Sequence, residues 1–441
     1  MLQRQKQVYM QKYLCQWKQN HPNFSYPFKG RMGVTNSPVM LFDLADLIPA
    51  HDGLDDLSLP ITTEQINTVI KALPSDKAPG PDGFNGLFFK RCWYIIKEDF
   101  YKFCEDFFGG RVTLNCLNSS FITLVPKITT PETINDFRPI SLINCCMKII
   151  TKILANRMQT VILSLIHPHQ YGFIKSRSIQ DCLAWSFEYI HQCHQSKREI
   201  IILKLDFAKV FDTVEHCVIL QMLKALGCPD IWINWVNRIL ESGSSSVLLN
   251  GVPGKNFHCK RGVRQGDPLS PLLFVIAAEL LQHIMNRGHQ RGLFSLPIPS
   301  TTGQFPVVQY ADDTLMILKA DAKQLFCLKA LLNSFATSTG LQVNFSKSMM
   351  IPINVLPEKM EILSNTFGCQ VGSLSFTYLG LPLGTTKPKI EDFIPLMDKI
   401  ERRLSCCSTF LSYSGRLGMI NSVLSPSMIY STCQPSNYRP G

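Results

Sequence analysis

The residues best suited to chemistry are carboxylates at the ends of apolar runs. In Leu203-Lys204-Leu205-Asp206-Phe207-Ala208-Lys209-Val210-Phe211-Asp212, an apolar stretch from Ile200 to Leu205 delivers Asp206 at its open end. A second stretch, Val307 to Tyr310, leads into Ala311-Asp312-Asp313 before Thr314 to Leu318 resumes, which is a strand, acidic turn, strand pattern. Adjacent carboxylates repel unless water or cations neutralise them. Two Mg²⁺ ions about 4 Å apart, held by Asp206, Asp312 and Asp313, would do so, and would activate a 3′-hydroxyl and stabilise a pentavalent phosphate in an in-line displacement. Taken alone, two aspartates in a hairpin read as an exposed turn. A third segment adds specificity: Arg261-Gly262-Val263-Arg264-Gln265-Gly266-Asp267-Pro268-Leu269-Ser270-Pro271-Leu272 sets a Gly-rich polar loop before an apolar helix, with Pro271 suited to the first turn. Such a loop lets its backbone and Gln265 approach a base or sugar closely. Helix capping alone would account for Ser270 and Pro271 but not for the whole run.

The elements that must position these groups are legible around them. Ile61-Thr62-Thr63-Glu64 opens a helix with Thr62 or Thr63 as cap, followed by Ile66, Val69, Ile70 and Leu73 at helical spacing and closed by Pro74. Lys77-Ala78-Pro79-Gly80-Pro81-Asp82-Gly83 is a turn-rich loop. Phe121 to Pro126 and Phe137 to Leu142 are β-rich runs joined by a polar connection, the pattern of a hairpin, and a helical stretch follows from Lys148 to Leu165. Further helices are expected over Val218 to Leu226, Ile231 to Glu241, Pro271 to Arg287 and Ala322 to Ser338.

With 441 residues, 45% of them apolar and 17% charged, the chain is long enough to bury a sizeable core divided into lobes, and disorder is excluded as its general state. A net charge of +11 suits a polyanionic partner such as nucleic acid. Met1 to Phe42 carries Arg4, Lys6, Lys12, Lys18, Lys29 and Arg31 without an acidic residue, which fits a transit peptide, a nucleic-acid arm or plain solvated surface. The sixteen cysteines include no C-x-x-C pair, so no zinc site is expected. The longest apolar stretch, Leu272 to Ala278, stops at Glu279, far short of the roughly 20 residues of a bilayer span, so no membrane segment is expected.

Together the three segments resemble motifs A, B and C of reverse transcriptases, specifically those of LINE-type, non-LTR retrotransposons of the plant-like kind. The resemblance covers about residues 55 to 430. Lys77 to Gly83 resembles the opening motif of the fingers, Val125-Pro126-Lys127 with Phe137 to Leu142 the fingers hairpin, and Gln170-Tyr171-Gly172-Phe173-Ile174 the segment before the palm. Gly340 to Ser348 resembles motif D, and Tyr378-Leu379-Gly380-Leu381-Pro382-Leu383-Gly384 the primer-grip region.

The resemblance implies an α+β right-hand polymerase, with helical and hairpin fingers, a palm on an antiparallel sheet and a partial helical thumb. Its divisions would be a basic leader at 1–55, fingers and the N-terminal part of the domain at 56–195, the palm at 196–385, the start of the thumb at 386–430 and an unmatched tail at 431–441. The implied activity is RNA-directed DNA polymerase, with an RNA template, a DNA primer and dNTPs as partners and two Mg²⁺ ions, or Mn²⁺ in their place, as cofactors. Asp206, Asp312 and Asp313 would hold the metals, joined by the Phe207 backbone. Phe211 would act as a steric gate against the ribose 2′-hydroxyl, and Lys127 and Arg138 would grip the triphosphate. Gln265 and Gly266 would line the nucleotide pocket, Lys347 would protonate the departing pyrophosphate, and Tyr378, Leu379 and Gly380 would press on the primer end.

Some positions depart from the family pattern. Val210 replaces a usual alanine and is expected to crowd the sugar pocket; Ser176 replaces a usual glycine, and His216 stands where tryptophan is common. With no upstream endonuclease and a thumb that stops near Tyr430, a second reading is a truncated, catalytically silent remnant that retains nucleic-acid binding. A maturase or a telomerase-like protein shares the palm, whereas an RNA-dependent RNA polymerase conflicts with Phe211. For a retroelement protein the resemblance implies a nuclear or cytoplasmic location.

Overall fold

The computed structural model describes residues 26–35, 38–299 and 303–384, together with Ile394, Asp398 and Glu401. Apart from those three residues, the expected thumb start at 386–430 and the tail at 431–441 lie outside the described residues, as do residues 1–25 of the leader. The fold is mixed α+β with largely antiparallel sheets, as expected. The chain divides into two compact units interleaved in sequence: Met1–His167, Ala208–His283 and Asn333–Gln342 form the first, and Pro168–Phe207, Ile284–Leu332 and Val343–Gly441 the second.

In the first unit, the strand Ser119–Pro126 pairs antiparallel with Phe137–Ile143, from Pro126 opposite Phe137 to Ser120 opposite Ile143. On its other side it pairs parallel with Ser244–Leu249. Side chains alternate across a strand, so Ile122 and Leu124 turn inward to meet Phe137, Val247 and Phe257. The expected hairpin is therefore present. The helix Thr63–Ala72 starts at Thr62, whose side chain accepts from Gln65 N in a capping box, and it ends two residues before Pro74. Its buried Ile66, Val69 and Ile70 pack on Ile149 and Ile153 of the helix Cys145–Leu165, which begins three residues earlier than the pattern indicated. The helix Gly86–Phe108, which carries a glycine and many aromatics of low helix propensity, was not expected. Packing of Phe89, Phe100 and Cys104 into the same core stabilises it.

In the second unit, a five-stranded sheet runs in the order Gln370–Val371, Met349–Ile353, Ile200–Leu205, Asp313–Lys319, Val307–Tyr310. Ile200–Leu205 is its central strand. Ile200, Ile201, Ile202 and Leu203 are all fully buried, which explains why it reads as a continuous apolar run rather than an alternating one. The helix Ile179–Gln195, also unforeseen although Ser178 and Asp181 form a capping box at its start, contributes Cys182 and Ile190 to the core beneath the sheet. A separate hairpin, Phe376–Tyr378 with Leu381–Leu383, adds Phe376, Tyr378, Leu381 and Leu383 to that core.

Candidate active site

The chemistry of the second unit starts from its central strand. Asp206 follows directly on Leu205, so the β-branched run that buries itself in the sheet carries the carboxylate out to solvent. Its backbone is held at both ends of the peptide: Asp206 N donates to Ser348 Oγ at 3.1 Å, and Asn344 N donates to Asp206 O at 2.7 Å. Ser348 Oγ in turn donates to Asn344 O at 2.8 Å. The segment with the motif D likeness thus acts here as a clamp on Asp206.

On the neighbouring strands, Tyr310 and Asp313 are the closing pair of a hairpin whose two turn residues are Ala311 and Asp312. Ala311 takes φ +59°, a left-handed conformation that disfavours a residue with a Cβ. The turn places Asp312 and Asp313 in solvent, while the strand behind them, Thr314 to Leu318, is fully buried. Asp313 is thereby the first residue of a strand rather than a turn residue, a small correction to the reading of both aspartates at the bend.

Both hairpin aspartates feel the negative charge of Asp206. Asp312 is raised above the ordinary carboxylate range chiefly by desolvation, with the negative charge of Asp206 adding to it. Asp313 is raised by desolvation and then by Asp312 and Asp206, with Lys204 opposing. The side chains reach water, yet the protein around them is dense enough to weaken their hydration. Among the described residues, no group of three or more His, Cys, Asp or Glu side chains is closed into a preformed metal-ligand cluster. The donor set nevertheless fits a divalent cation, because Asp312 and Asp313 already feel the negative charge of Asp206, and hard oxygen ligands so placed are what such an ion neutralises.

The hairpin of the supposed primer grip connects to the same carboxylates. Tyr378 is fully buried, and its hydroxyl donates to Asp313 O at 3.2 Å; burial pushes that hydroxyl's pKa well up. Lys204 Nζ donates to Thr377 O at 2.7 Å. The expectation that the Tyr378 ring presses on a primer is corrected, since a ring with no exposed surface props the aspartate hairpin from below. Leu379 and Gly380 form the turn of this second hairpin, and Gly380 is exposed. Lys347 is exposed next to the Asp206 clamp.

Phe207, next to Asp206, is the last residue of its segment of the second unit, and the remaining expected residues belong to the first. Phe211 lies in the short helix Val210–Thr213 and stacks on Phe274, with ring centroids 5.2 Å apart. Its carbonyl accepts from Val263 N at 2.7 Å. Gly262, at φ +78°, sits so close that a Cβ there would lie 2.8 Å from Phe211 O. Val210 is buried, so its methyl groups belong to the core and do not crowd a sugar. His216 Nε2 bonds Gly262 O at 2.8 Å, and desolvation pushes its pKa down. Gln265 O accepts from Ser141 N at 2.7 Å, which joins the loop to the Phe137–Ile143 strand; Gly266 beside it is exposed. Two buried groups that sequence reasoning passed over, Arg264 and Asp267, pair at 3.5 Å, and Asp267 also accepts from Leu269 N at 2.8 Å to start the following helix. Arg138, on that same strand, is exposed, and its side chain makes no hydrogen bond or ion pair among the described residues. Lys127, just past Pro126, donates through Nζ to Asn135 O at 2.9 Å.

Residues 125–383, more than half of the chain, match the family described as reverse transcriptase (RNA-dependent DNA polymerase). The chain belongs to the reverse transcriptase family. Its reverse transcriptase domain is similar to the Transposon TX1 uncharacterized 149 kDa protein of Xenopus laevis, with 27% identity over 85% of this chain and 28% of that protein. It is also similar to the retrovirus-related Pol polyprotein from the type-1 retrotransposable element R2 of Popillia japonica, with 28% identity over 67% of this chain and 40% of that protein. The RNA-directed DNA polymerase from the mobile element jockey of Drosophila melanogaster is 25% identical over 60% of this chain and 28% of its own length. The chain thus spans well under half the length of these relatives. These relatives are named for a transposon, a retrotransposable element and a mobile element, in keeping with the resemblance to non-LTR retrotransposon reverse transcriptases, while the plant-like affinity finds no support among them. Reverse transcriptases as a family use divalent metal ions, in keeping with the carboxylate set of this domain.

Proposed function

We propose that this chain catalyses RNA-templated DNA synthesis, transferring a nucleotidyl group from a dNTP to the 3′-hydroxyl of a DNA primer. The observation that carries the reading is the set of solvent-facing carboxylates Asp312 and Asp313, at a strained hairpin tip, and Asp206, at the end of the central strand, whose charge adds to the desolvation that raises both hairpin aspartates. In this reading Asp206, Asp312 and Asp313, with the Phe207 carbonyl, hold two Mg²⁺ ions, for which Mn²⁺ can substitute. When bound, such ions lower the pKa of the attacking hydroxyl and neutralise the charge of the phosphates.

The protein's own groups then divide the labour. Lys127 and Arg138, exposed at the edge of the fingers hairpin, bind the anionic triphosphate, Arg138 through a guanidinium with no competing partner among the described residues. Phe211, stacked against Phe274 and held through its backbone, keeps a fixed ring against the sugar and excludes a 2′-hydroxyl. Gln265 and Gly266 face the nascent pair, and Lys347 donates a proton towards the leaving pyrophosphate. Leu379 and Gly380 support the primer end. Residues 56–195 serve as fingers and 196–385 as palm.

The test is extension of a DNA primer on an RNA template with Mg²⁺ and dNTPs by the full chain beside Asp312→Ala. Extension by the wild type alone supports the proposal. A folded, primer-binding wild type that does not extend would sink it.

A further inference from the structure

The aspartate hairpin of the second unit depends on a residue that carries no charge. Ala311 takes the left-handed conformation at the first position of its two-residue turn. Its N–H donates to Gln170 Oε1 at 3.0 Å, and the same oxygen accepts from Gly172 N at 2.9 Å. Gln170 is 1% exposed, so no water replaces this acceptor, and a buried amide without one is costly.

The brace is itself anchored. Gln170 forms a parallel bridge with Gln309, Tyr171 N donates to Gln309 O at 2.8 Å, and Gln309 N donates to His169 O at 2.9 Å. Residues 169–171 therefore extend the sheet edge formed by Val307–Tyr310. Arg177 Nη1 donates to Gln170 O at 2.6 Å and closes the loop behind it. Gly172 allows the approach: a Cβ there would lie 2.3 Å from Ala311 N and 2.9 Å from its Cα, inside the backbone it must pass. Tyr378 in turn donates to Asp313 O. The backbone of the acidic turn is thus tied to side chains from two other segments.

We propose that Gln170 is a positioning residue for this turn: its side-chain carbonyl holds Ala311 in the left-handed conformation that aims Asp312 and Asp313. The proposal rests on the polymerase reading for what the carboxylates do, but the brace itself is read from geometry alone. Gln170→Met keeps the length and removes the acceptor, whereas Gln170→Glu keeps an acceptor at the same reach. Residues that orient metal ligands from behind change metal affinity by about 10- to 100-fold, and small misplacements of reacting groups cost rates of similar size.

The experiment measures, on the full chain, Mn²⁺ binding without substrate by the electron paramagnetic resonance signal of free Mn²⁺, primer binding by fluorescence anisotropy, and kcat and KM for dNTP. For Gln170→Met we expect Mn²⁺ affinity and kcat each lower by about tenfold or more, primer binding and KM within about twofold, and recovery of most of the loss in Gln170→Glu. Wild-type Mn²⁺ affinity in Gln170→Met, or equal damage in both variants, would overturn the proposal. A wild type that binds Mn²⁺ through Asp312 but does not extend a primer would defeat the polymerase reading and leave the brace to be judged by metal affinity. If Gln170→Met does not fold, hydrogen exchange over residues 307–319 decides the matter in the shorter Gln170→Asn: faster exchange confined to the hairpin tip supports the brace, and unchanged protection refutes it.

Discussion

Gly262→Ala probes the loop that holds Phe211. Gly262 has φ +78°, and an added Cβ would lie 2.7 Å from Asp212 O and 2.8 Å from both Asp212 C and Phe211 O. All three are backbone atoms, so no side chain can swing aside. The loop cannot retreat easily either, since Gly262 N donates to Val214 O and Val263 N to Phe211 O, both at 2.7 Å, and His216 bonds Gly262 O. Left-handed alanine costs about 1–2 kcal/mol, and forcing a methyl into a filled space costs about 1–3 kcal/mol. Together these predict a loss of about 2–5 kcal/mol in urea unfolding followed by tryptophan fluorescence. Gly251→Ala is the control, because Gly251 has φ +79° but nothing within 4 Å of its Cβ position, and should lose only about 1–2 kcal/mol. Primer extension by Gly262→Ala should show a raised KM for dNTP as the Phe211 backbone is pushed. A stability change below about 0.5 kcal/mol, the range of ordinary surface substitutions, would refute the reasoning.

Three further outcomes follow from the site. Desolvation and its acidic neighbour hold Asp312 above its ordinary value of 3.8, so its ionisation costs folded-state stability, a cost that begins as pH rises past that value and is complete above the folded-state pKa. In chelator at pH 7, Asp312→Asn should therefore melt higher than wild type, the gap should close as pH falls towards 3.8, and Mg²⁺ should raise only the wild type; a lower-melting variant would contradict the coupling. Phe211→Val should cut the preference for dNTPs over rNTPs, measured as the ratio of kcat/KM values, by about tenfold or more, whereas an unchanged ratio removes the gate. Tyr378→Phe, which leaves Asp313 O without its hydroxyl donor, should destabilise by about 1 kcal/mol in urea, and a neutral result would show that this bond contributes nothing.

Much of the site was legible as pattern. A continuous apolar run ending in Asp206 is what a central strand must look like, and an alternation of strand, acidic turn and strand leaves few places for Asp312 and Asp313 other than a hairpin. Likewise, the hairpin carrying Arg138 and the capped helix Thr63–Ala72 follow from local chemistry, because turn residues and caps act over a few neighbours in the chain. The helices Gly86–Phe108 and Ile179–Gln195 were missed in the long intervals between motifs, the first because packing of Phe89, Phe100 and Cys104 overrides weak propensity.

By itself, then, the sequence determined the family, the α+β class and the strand and hairpin that carry Asp206, Asp312 and Asp313, all of which depend on residue type and short-range order. The tertiary structure alone decided which groups hold those carboxylates in place. The Tyr378 ring belongs to the core rather than to a primer, Ser348 and Asn344 clamp Asp206, and Gln170 with Gly172 meets Ala311 across well over a hundred residues of intervening chain. Such partners are joined by hydrogen bonds and close packing between segments distant in sequence, and nothing in the spacing of residues along a chain records which distant backbone will be brought against it.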